Sequence, residues 1–328
     1  LGRSMAVGST KNRHTPRWEK IMPGDTTKYN IPFVAPALPN AKSEYSPKAT
    51  NEHNRILRQY FNQLDNALRN IAGVDVPYDE QVARGEIPGA SNITVFGYNN
   101  DQAQNTVETI QYQGGRMVKP ASAATVFVSS ANTNDTSAGS GARTVLLEGL
   151  DANYNAVSET ITLNGQTQVE SSLSYIRLFK VEAVTVGSGG KNAGIVYVAV
   201  TGATSGVPDN AIYLVISADD NAPLNTSATA AYTVPAGHTL YIDLVQLKTD
   251  VRATVSGFSF VSLISQEFVT NGAEVAYFNY PLRSNLLNVD FPNYIKLTEK
   301  VDVELLTFSA NSNTSEVTGK LTGVLIAN

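Results

Sequence analysis

NEHNRILRQYFNQLDNALRNIAG, the stretch Asn51–Gly73, carries the one strong helix pattern of this 328-residue chain. Its large apolar residues recur at alternating spacings of four and three, which is typical of helices that pack side by side. The residues of this seam are Leu57, Phe61, Leu64, Leu68 and Ile71. Asn51 is suited to cap the start of the helix, and Gly73 to end it. The helix separates a proline-rich segment from a strand-rich one.

A helix of this length is marginal alone in water, so its apolar face must pack against another surface. A sheet of the same chain would provide one, and the same seam in further copies of the chain would provide another. The extended segment before the helix and the acidic, strand-rich body after it favour the second arrangement. We therefore predict that the seam is an oligomerisation surface.

Residues 1–50 contain six prolines, interleaved with large apolar side chains. Proline at this density disfavours helix and favours extended chain, whereas disordered linkers carry few large apolar residues. We predict an extended anchoring arm, ordered by packing on its own domain, a neighbouring subunit or a larger particle. The residues expected to anchor it are Trp18, Ile21, Tyr29, Ile31, Phe33 and Leu38.

Charge is low and unevenly distributed. Charged residues make up 16% of the chain and the formal net charge is −5, yet the first twenty residues hold five Lys and Arg against the single acid Glu19. A basic arm of this kind is suited to binding an acidic protein surface or nucleic acid. A solvated, flexible terminus would show the same charge pattern. The acidic total gives no general attraction to nucleic acid.

Composition narrows the possible chemistry. There are no cysteines, which excludes disulfides, thiolate metal sites and cysteine nucleophiles. The three histidines, His14, His53 and His238, are far apart in the chain and form no zinc-binding motif. No apolar run approaches the roughly 20 residues of a membrane span. We find no nucleophile and base motif and no recognisable pair of opposed carboxylates, so we predict a protein without catalytic residues or cofactors.

Beyond residue 90 the chain reads as short strands separated by Gly, Asn and Pro turns about every 8–12 residues. A small, polar stretch near Pro223–Ala230 divides this region. The predicted fold is mainly β, with an extended arm and one α-helix followed by two antiparallel, jelly-roll-like β-sandwiches. The predicted segments are the arm 1–50, the helix 51–73, a connector 74–90, and sandwich domains 91–222 and 223–328.

Two kinds of surface feature are candidate binding sites. The oxygen-rich turns at Asp135 and at Asp219 with Asp220 resemble calcium ligands in residue type, but they lack the ligand spacing of a calcium loop, so we expect plain Asx-turns. A cluster of aromatic residues near the C-terminus would suit either sugar binding or core packing. These residues are Tyr277, Phe278, Tyr280 and Tyr294.

The run ANTNDTSAGSGARTVLLEGLDANYNAVSETITLNG, Ala131–Gly165, resembles a module of structural proteins from tailed bacteriophages, notably marine ones. That family's pattern is a DTSAGTGAR-type turn, a GLDxNYxxVxET segment and a closing LNG turn. The matching segments here are Asp135–Arg143, Gly149–Thr160 and Leu163–Gly165. Further similar phrases are Leu38–Asn66, Ile176–Gly194 and Tyr232–Ile242.

The resemblance implies a virion structural protein of the decoration or fibre type, located in the virion and trimeric. A head decoration protein or head fibre would attach its arm to the capsid. A tail fibre or tail-tip protein would attach the arm to a tail adaptor and bind host surface glycans with the far sandwich. A glycan depolymerase is a third, remote alternative, against which the absence of long β-helix repeats argues.

The seam makes a direct prediction about subunit number. We expect the paired substitutions Phe61→Asp and Leu64→Asp to abolish self-association, because two charges cannot be buried in an apolar seam. Light scattering on the full chain measures the mass. An unchanged mass combined with an earlier thermal transition of the body would mean that the seam packs within one chain.

Overall fold

The computed structural model describes residues 51, 53–62, 64, 77–220, 222, 225–251, 259–267, 272–282, 286–309 and 315–328. The chain divides into two compact units, Leu1–Pro77 and Tyr78–Asn328. The predicted anchoring residues of the arm, Trp18, Ile21, Tyr29, Ile31, Phe33 and Leu38, lie outside the described residues. So do Leu68 and Ile71 of the predicted seam.

In the first unit, every described residue between 51 and 64 is helical, and we call this helix α1. The helix prediction is confirmed for this part. Leu57 and Leu64 are half-buried, whereas 60% of the Phe61 surface is exposed. The Phe61 ring contacts the edge of the Tyr60 ring, with centroids 5.8 Å apart. The role of the seam in oligomerisation stays a prediction.

The second unit begins with a short helix, α2 (Tyr78–Ala83). We predicted one helix in the chain and an irregular connector at 74–90, so α2 is a correction. Its sequence, YDEQVA, is too short to show a helical period. Asp79 and Glu80 lie in its first turn, where negative side chains interact favourably with the helix dipole.

The rest of the described chain is mainly β, as predicted. The strands are β1 (Ala90–Asn99), β2 (Val107–Thr109), β3 (Phe127–Ser130), β4 (Ala142–Leu150), β5 (Ala156–Thr162), β6 (Val169–Glu170), β7 (Arg177–Val186), β8 (Val196–Ala199), β9 (Ala203–Thr204), β10 (Val207–Pro208), β11 (Ile212–Ile216), β12 (Ala231–Thr233), β13 (His238–Val251), β14 (Ser259–Glu267), β15 (Val275–Leu282), β16 (Leu286–Leu297), β17 (Val301–Ser309) and β18 (Ser315–Ala327).

Four sheets contain most of these strands, and they are arranged like the blades of a four-blade propeller. In spatial order, sheet 1 is β1-β18-β13-β16 and sheet 2 is β12-β17-β14-β15, with β2 also paired to β17. Sheet 3 is β11-β8-β3-β6 and sheet 4 is β5-β4-β7, while β9 and β10 form a small hairpin. Neighbouring strands within these sheets are antiparallel.

Sheets 1 and 2 share one hydrophobic cluster, to which β13, β14, β16, β17 and β18 all contribute. Strand β13 shows how the sequence supplies it. Leu240 and Ile242 are buried at alternate positions, as are Val245 and Leu247, but the two pairs are out of phase. A register shift between Ile242 and Leu244 resolves the conflict, because one extra residue turns the later pair back to the core side.

Sheets 3 and 4 share the second cluster. In β4, Val145 and Leu147 are fully buried, whereas their neighbours Thr144 and Leu146 are half-buried. This alternation places one face of the strand in the core. Val128 of β3 and Val198 of β8 face the same cluster from the other sheet.

The sheets do not follow the predicted division at residues 222 and 223. Strand β1 pairs along its whole length with β18 at the end of the chain, and β2 pairs with β17. Two strands assigned to the first predicted domain thus belong to the sheets of the second. Pairing between strands that lie 197 or more residues apart leaves no local signal in the sequence.

Candidate functional site

Strand β17 is the boundary between the two clusters. Val301, Val303 and Leu305 face the cluster of sheets 1 and 2. Asp302 and Glu304 alternate with them, and each is only 1% exposed. Two acids therefore lie on the other face of this strand, where they need partners because an unpaired buried charge is strongly unfavourable.

Arg177 of β7 is the partner of Asp302. Its Nε and one terminal nitrogen each donate to a different carboxylate oxygen at 2.9 Å, and both side chains are fully buried. The remaining terminal nitrogen donates to the carbonyl oxygen of Ile176, and Thr233 Oγ1 of β12 donates to Asp302 at 2.5 Å. This two-point geometry ties sheet 4 to sheet 2.

Glu304 is surrounded by a second set of donors. Lys119 Nζ lies 2.5 Å and an Arg116 nitrogen 3.1 Å from the same oxygen, while Thr109 Oγ1 donates to the other oxygen at 2.5 Å. Burial by itself raises the pKa of Glu304. The charges and hydrogen bonds of Lys119 and Arg116 outweigh this and hold the pKa below its ordinary value of 4.5.

A cleft of about 400 Å³ opens next to this junction, between β1, β7 and β12. One wall is the run Asn92–Phe96 of β1. The opposite wall carries Phe179 and Lys180 of β7, and Tyr232 of β12 lies against Phe179 with ring centroids 4.7 Å apart. The cleft is a candidate functional site because its volume falls within the usual range for ligand pockets, about 300–1,000 Å³.

Two polar features of the cleft lack partners among the described residues. Thr229, which is 5% exposed, has a buried hydroxyl without a hydrogen bond. Strand β1 pairs with β18 along one side only. On its other side the Tyr98 N–H donates to the Ala228 carbonyl, but no described backbone group pairs with that side between Asn92 and Phe96. This wall therefore presents an open row of backbone donors and acceptors.

The turns that resemble calcium ligands have other roles. Asp135 is fully buried, and its carboxylate accepts four hydrogen bonds at 2.5–2.9 Å. The donors are the Ser130 hydroxyl and the backbone N–H groups of Ala142, Ala193 and Gly194. It stabilises the turns that join sheets 3 and 4. Asp220 pairs with Lys191, and the described residues include no group of side chains suited to hold a metal ion.

The four C-terminal aromatics lie on β15 and β16. Tyr277, Tyr280 and Tyr294 are 38–50% exposed, so core packing does not account for them. Phe278 packs partly against the cluster of sheets 1 and 2, and its ring stacks on Tyr280 at 5.4 Å. The sequence indicated aromatic residues on strands but not that three would be exposed along two sheet edges.

The sequence analysis predicted neither the cleft nor the junction. Isolated Arg and Asp residues 125 positions apart carry no pairing signal, and a strand edge becomes open only when its neighbours are known. The alternation of Val301, Val303 and Leu305 with two acids was the available signal. Acidic residues at alternate positions of an otherwise apolar strand indicate that the second face of the strand makes polar contacts.

The junction predicts a large loss of stability on removing one charge. We expect Asp302→Asn to lower the free energy of unfolding of the full chain by about 3–5 kcal/mol, because Arg177 is left buried without a counter-charge. The double variant Arg177→Met with Asp302→Asn should lose less than the sum of the single variants. Asp290→Asn on the exposed face of β16 is the matched control. Equal, small losses in denaturant titrations of Asp302→Asn and Asp290→Asn would contradict this.

Glu304 predicts a specific acid sensitivity. Its folded-state pKa lies below 4.5, so the ionised form stabilises the fold above that pH, and this contribution is lost as the pH falls through the folded-state pKa. We expect Glu304→Gln to be less stable at neutral pH and to show a flatter decline below about pH 5. Glu86→Gln, at an exposed carboxylate, is the control. Parallel acid profiles for Glu304→Gln and the natural chain would show that Glu304 does not cause the decline.

No protein-family model and no curated protein matches the chain. Solved structures similar to it include T=1 particles derived from infectious bursal virus, at 10% identity over 77% of this chain and 75% of that chain, with a TM-score of 0.22. The VP2 subviral particle of infectious bursal disease virus matches at 10% identity over 77% and 78%, with a TM-score of 0.20. The Cry4Aa toxin of Bacillus thuringiensis matches at 10% identity over 73% and 52%, with a TM-score of 0.18. Scores of this size carry no argument about fold or function.

Proposed function

We propose that the chain is a non-enzymatic structural protein of a tailed-phage virion. In this proposal it is a trimeric capsid decoration or head-fibre protein, anchored to other virion proteins by residues 1–50 and held together by the seam of α1. The β body then projects from the particle. The alternative is a tail fibre or tail-tip protein that binds host glycans.

The strand order of sheets 1 and 2 is the observation that carries the proposal. Counting only their principal strands in chain order, β1 is the first and β12–β18 are the second to the eighth. Sheet 1 then reads 1-8-3-6 and sheet 2 reads 2-7-4-5. This is the order of a jelly roll, in which two Greek keys fold over one core. It supports the predicted jelly roll, with the strands β2–β11 as an insertion between its first two strands.

Jelly rolls are a common fold of viral capsid and lectin domains. A fold alone does not determine function, so the phage resemblance of Ala131–Gly165 is the second support. The third is the ring of Phe61 in the middle of the predicted seam, which is 60% exposed in one chain. Association of the seams of several copies would bury this ring.

The tail-fibre alternative is favoured by one observation. Tyr277 and Tyr280 of β15, and Tyr294 of β16, expose aromatic surface at the edges of two sheets. Exposed tyrosine suits contact with sugars, since the ring offers an apolar face and the hydroxyl a hydrogen bond. The remote depolymerase alternative would require cleavage of host polysaccharide by the purified protein, and such cleavage would overturn the proposal.

Immunogold labelling of phage particles with antibody against the purified protein tests the placement. We expect label distributed over the head, and light scattering should give a mass three times the 35.1 kDa of one chain. Deletion of residues 1–50 should abolish incorporation while leaving the folded body, which circular dichroism of the variant checks. Label confined to the tail would favour the fibre alternative, and particles without label would contradict a virion role.

A further inference from the structure

We infer that the cleft beside β1 binds an extended strand from a second copy of the chain, namely residues 28–34 of that copy's arm. Strand β1 would be extended by one intermolecular strand, so that each body holds its neighbour. The inference deepens the proposed function, because it names a surface through which copies assemble.

The open edge of β1 is the first support. The antiparallel ladder to β18 leaves the N–H and C=O groups of alternate residues directed away from β18, and at Tyr98 this outward N–H bonds to Ala228. By the same alternation, Asn92, Thr94 and Phe96 direct their backbone groups into the cleft. Three successive outward positions are what strand addition requires, whereas a globular partner would not need a regular row.

The walls of the cleft suit a strand with one apolar face. Phe96 is 40% exposed at one end, and the contacting rings of Phe179 and Tyr232 lie opposite. An extended peptide fills such a site with alternate side chains towards the rings and its backbone along β1.

The sequence KYNIPFV, residues 28–34, has the matching pattern. Tyr29, Ile31 and Phe33 are apolar at alternate positions, which is the period of a strand. Pro32 lacks an N–H and is tolerated in a strand only where that position faces away from the ladder. When Tyr29, Ile31 and Phe33 direct their N–H groups to β1, Pro32 falls on the outer side. The proline is therefore compatible with this pairing.

Charge favours the same pair of surfaces. Residues 1–50 hold eight Lys and Arg against three Asp and Glu, whereas residues 78–328 hold 13 against 23. The formal charges are therefore +5 and −10. Near the cleft, Lys180 pairs with Glu148, which lines the cleft, and with Glu182, which does not. The complementarity of charge is therefore between the basic arm and the acidic body as a whole. Attraction of opposite charge steers such an encounter and suppresses wrong pairing.

Cysteine trapping tests this inference without background, because the chain has no cysteine. One batch of full-length protein carries Ile31→Cys. A second batch, with a different tag, carries Asn92→Cys, Thr94→Cys or Phe96→Cys singly, so that each possible register is sampled. After mixing and mild oxidation, a disulfide between differently tagged chains reports contact between copies, since paired strands bring opposite residues within disulfide reach.

We expect at least one β1 position to give tenfold or more covalent heterodimer than the control Val184→Cys, which is 53% exposed on β7 and lies outside the cleft. Excess synthetic peptide of residues 26–36 should suppress the product, and the same peptide with Ile31→Asn should not. Unfolding midpoints of all variants verify that each is folded.

Equal yields at β1 and at Val184→Cys, or no heterodimer at any position, would overturn the inference. If host polysaccharide protects the Thr94→Cys thiol from reaction with maleimide and the peptide does not, the cleft binds a sugar instead. Light scattering separates the two proposals. A trimeric mass without any trapped heterodimer would mean that the arm does not bind the cleft, and the proposed function would still stand. A monomeric mass without any trapped heterodimer would count against both proposals.

Discussion

The buried pair of Arg177 and Asp302 is the constraint on which the body of the protein depends. It joins β7 of sheet 4 to β17 of sheet 2 through two parallel hydrogen bonds of 2.9 Å. Burying two charges is unfavourable unless their geometry is good and their other hydrogen-bonding groups are satisfied. Here Ile176 and Thr233 provide those further bonds. The pair therefore fixes the contact between the two sheets more specifically than apolar packing alone.

The same pair positions the cleft. Phe179 lies two residues beyond Arg177 on β7, and Tyr232 precedes Thr233, whose hydroxyl donates to Asp302. The strand of Phe179 thus carries one member of the ion pair, and the strand of Tyr232 donates a hydrogen bond to the other member. Opposite them, β1 is held by its long ladder to β18. The open edge and the rings therefore line the same cleft.

The sequence predicted the type of the secondary-structure elements better than it predicted which strands pair with one another. Alternation predicted a mainly β body, and the spacing of Leu57, Phe61 and Leu64 predicted α1, because these patterns are local. The bulge after Ile242 and the pairing of β1 with β18 depend on neighbours that are distant in sequence. The boundary predicted at residue 223 followed from composition, whereas β1 and β2 pair with strands on its other side.

The candidate site was largely invisible in the sequence for the same reason. The aromatics Tyr277, Tyr280 and Tyr294 were recognised as candidates, but their exposure depends on which strands lie at sheet edges. Asp135 was identified from its oxygen-rich turn. In the folded chain it is buried, and its carboxylate oxygens accept hydrogen bonds from protein N–H and O–H groups. The arm could be recognised from its prolines and apolar residues, whereas its binding surface became apparent only once the edge of β1 was seen.

The central claim is that the open edge of β1 pairs with a strand from another copy of the chain. Site-resolved hydrogen exchange of the assembled full-length protein measures this directly. The account predicts that the outward amides of Asn92, Thr94 and Phe96 are protected as strongly as the inward amides of Ile93 and Val95, and that Phe33→Asp removes the outward protection alone. Outward amides that exchange at the rate of exposed backbone in the assembled protein would contradict it.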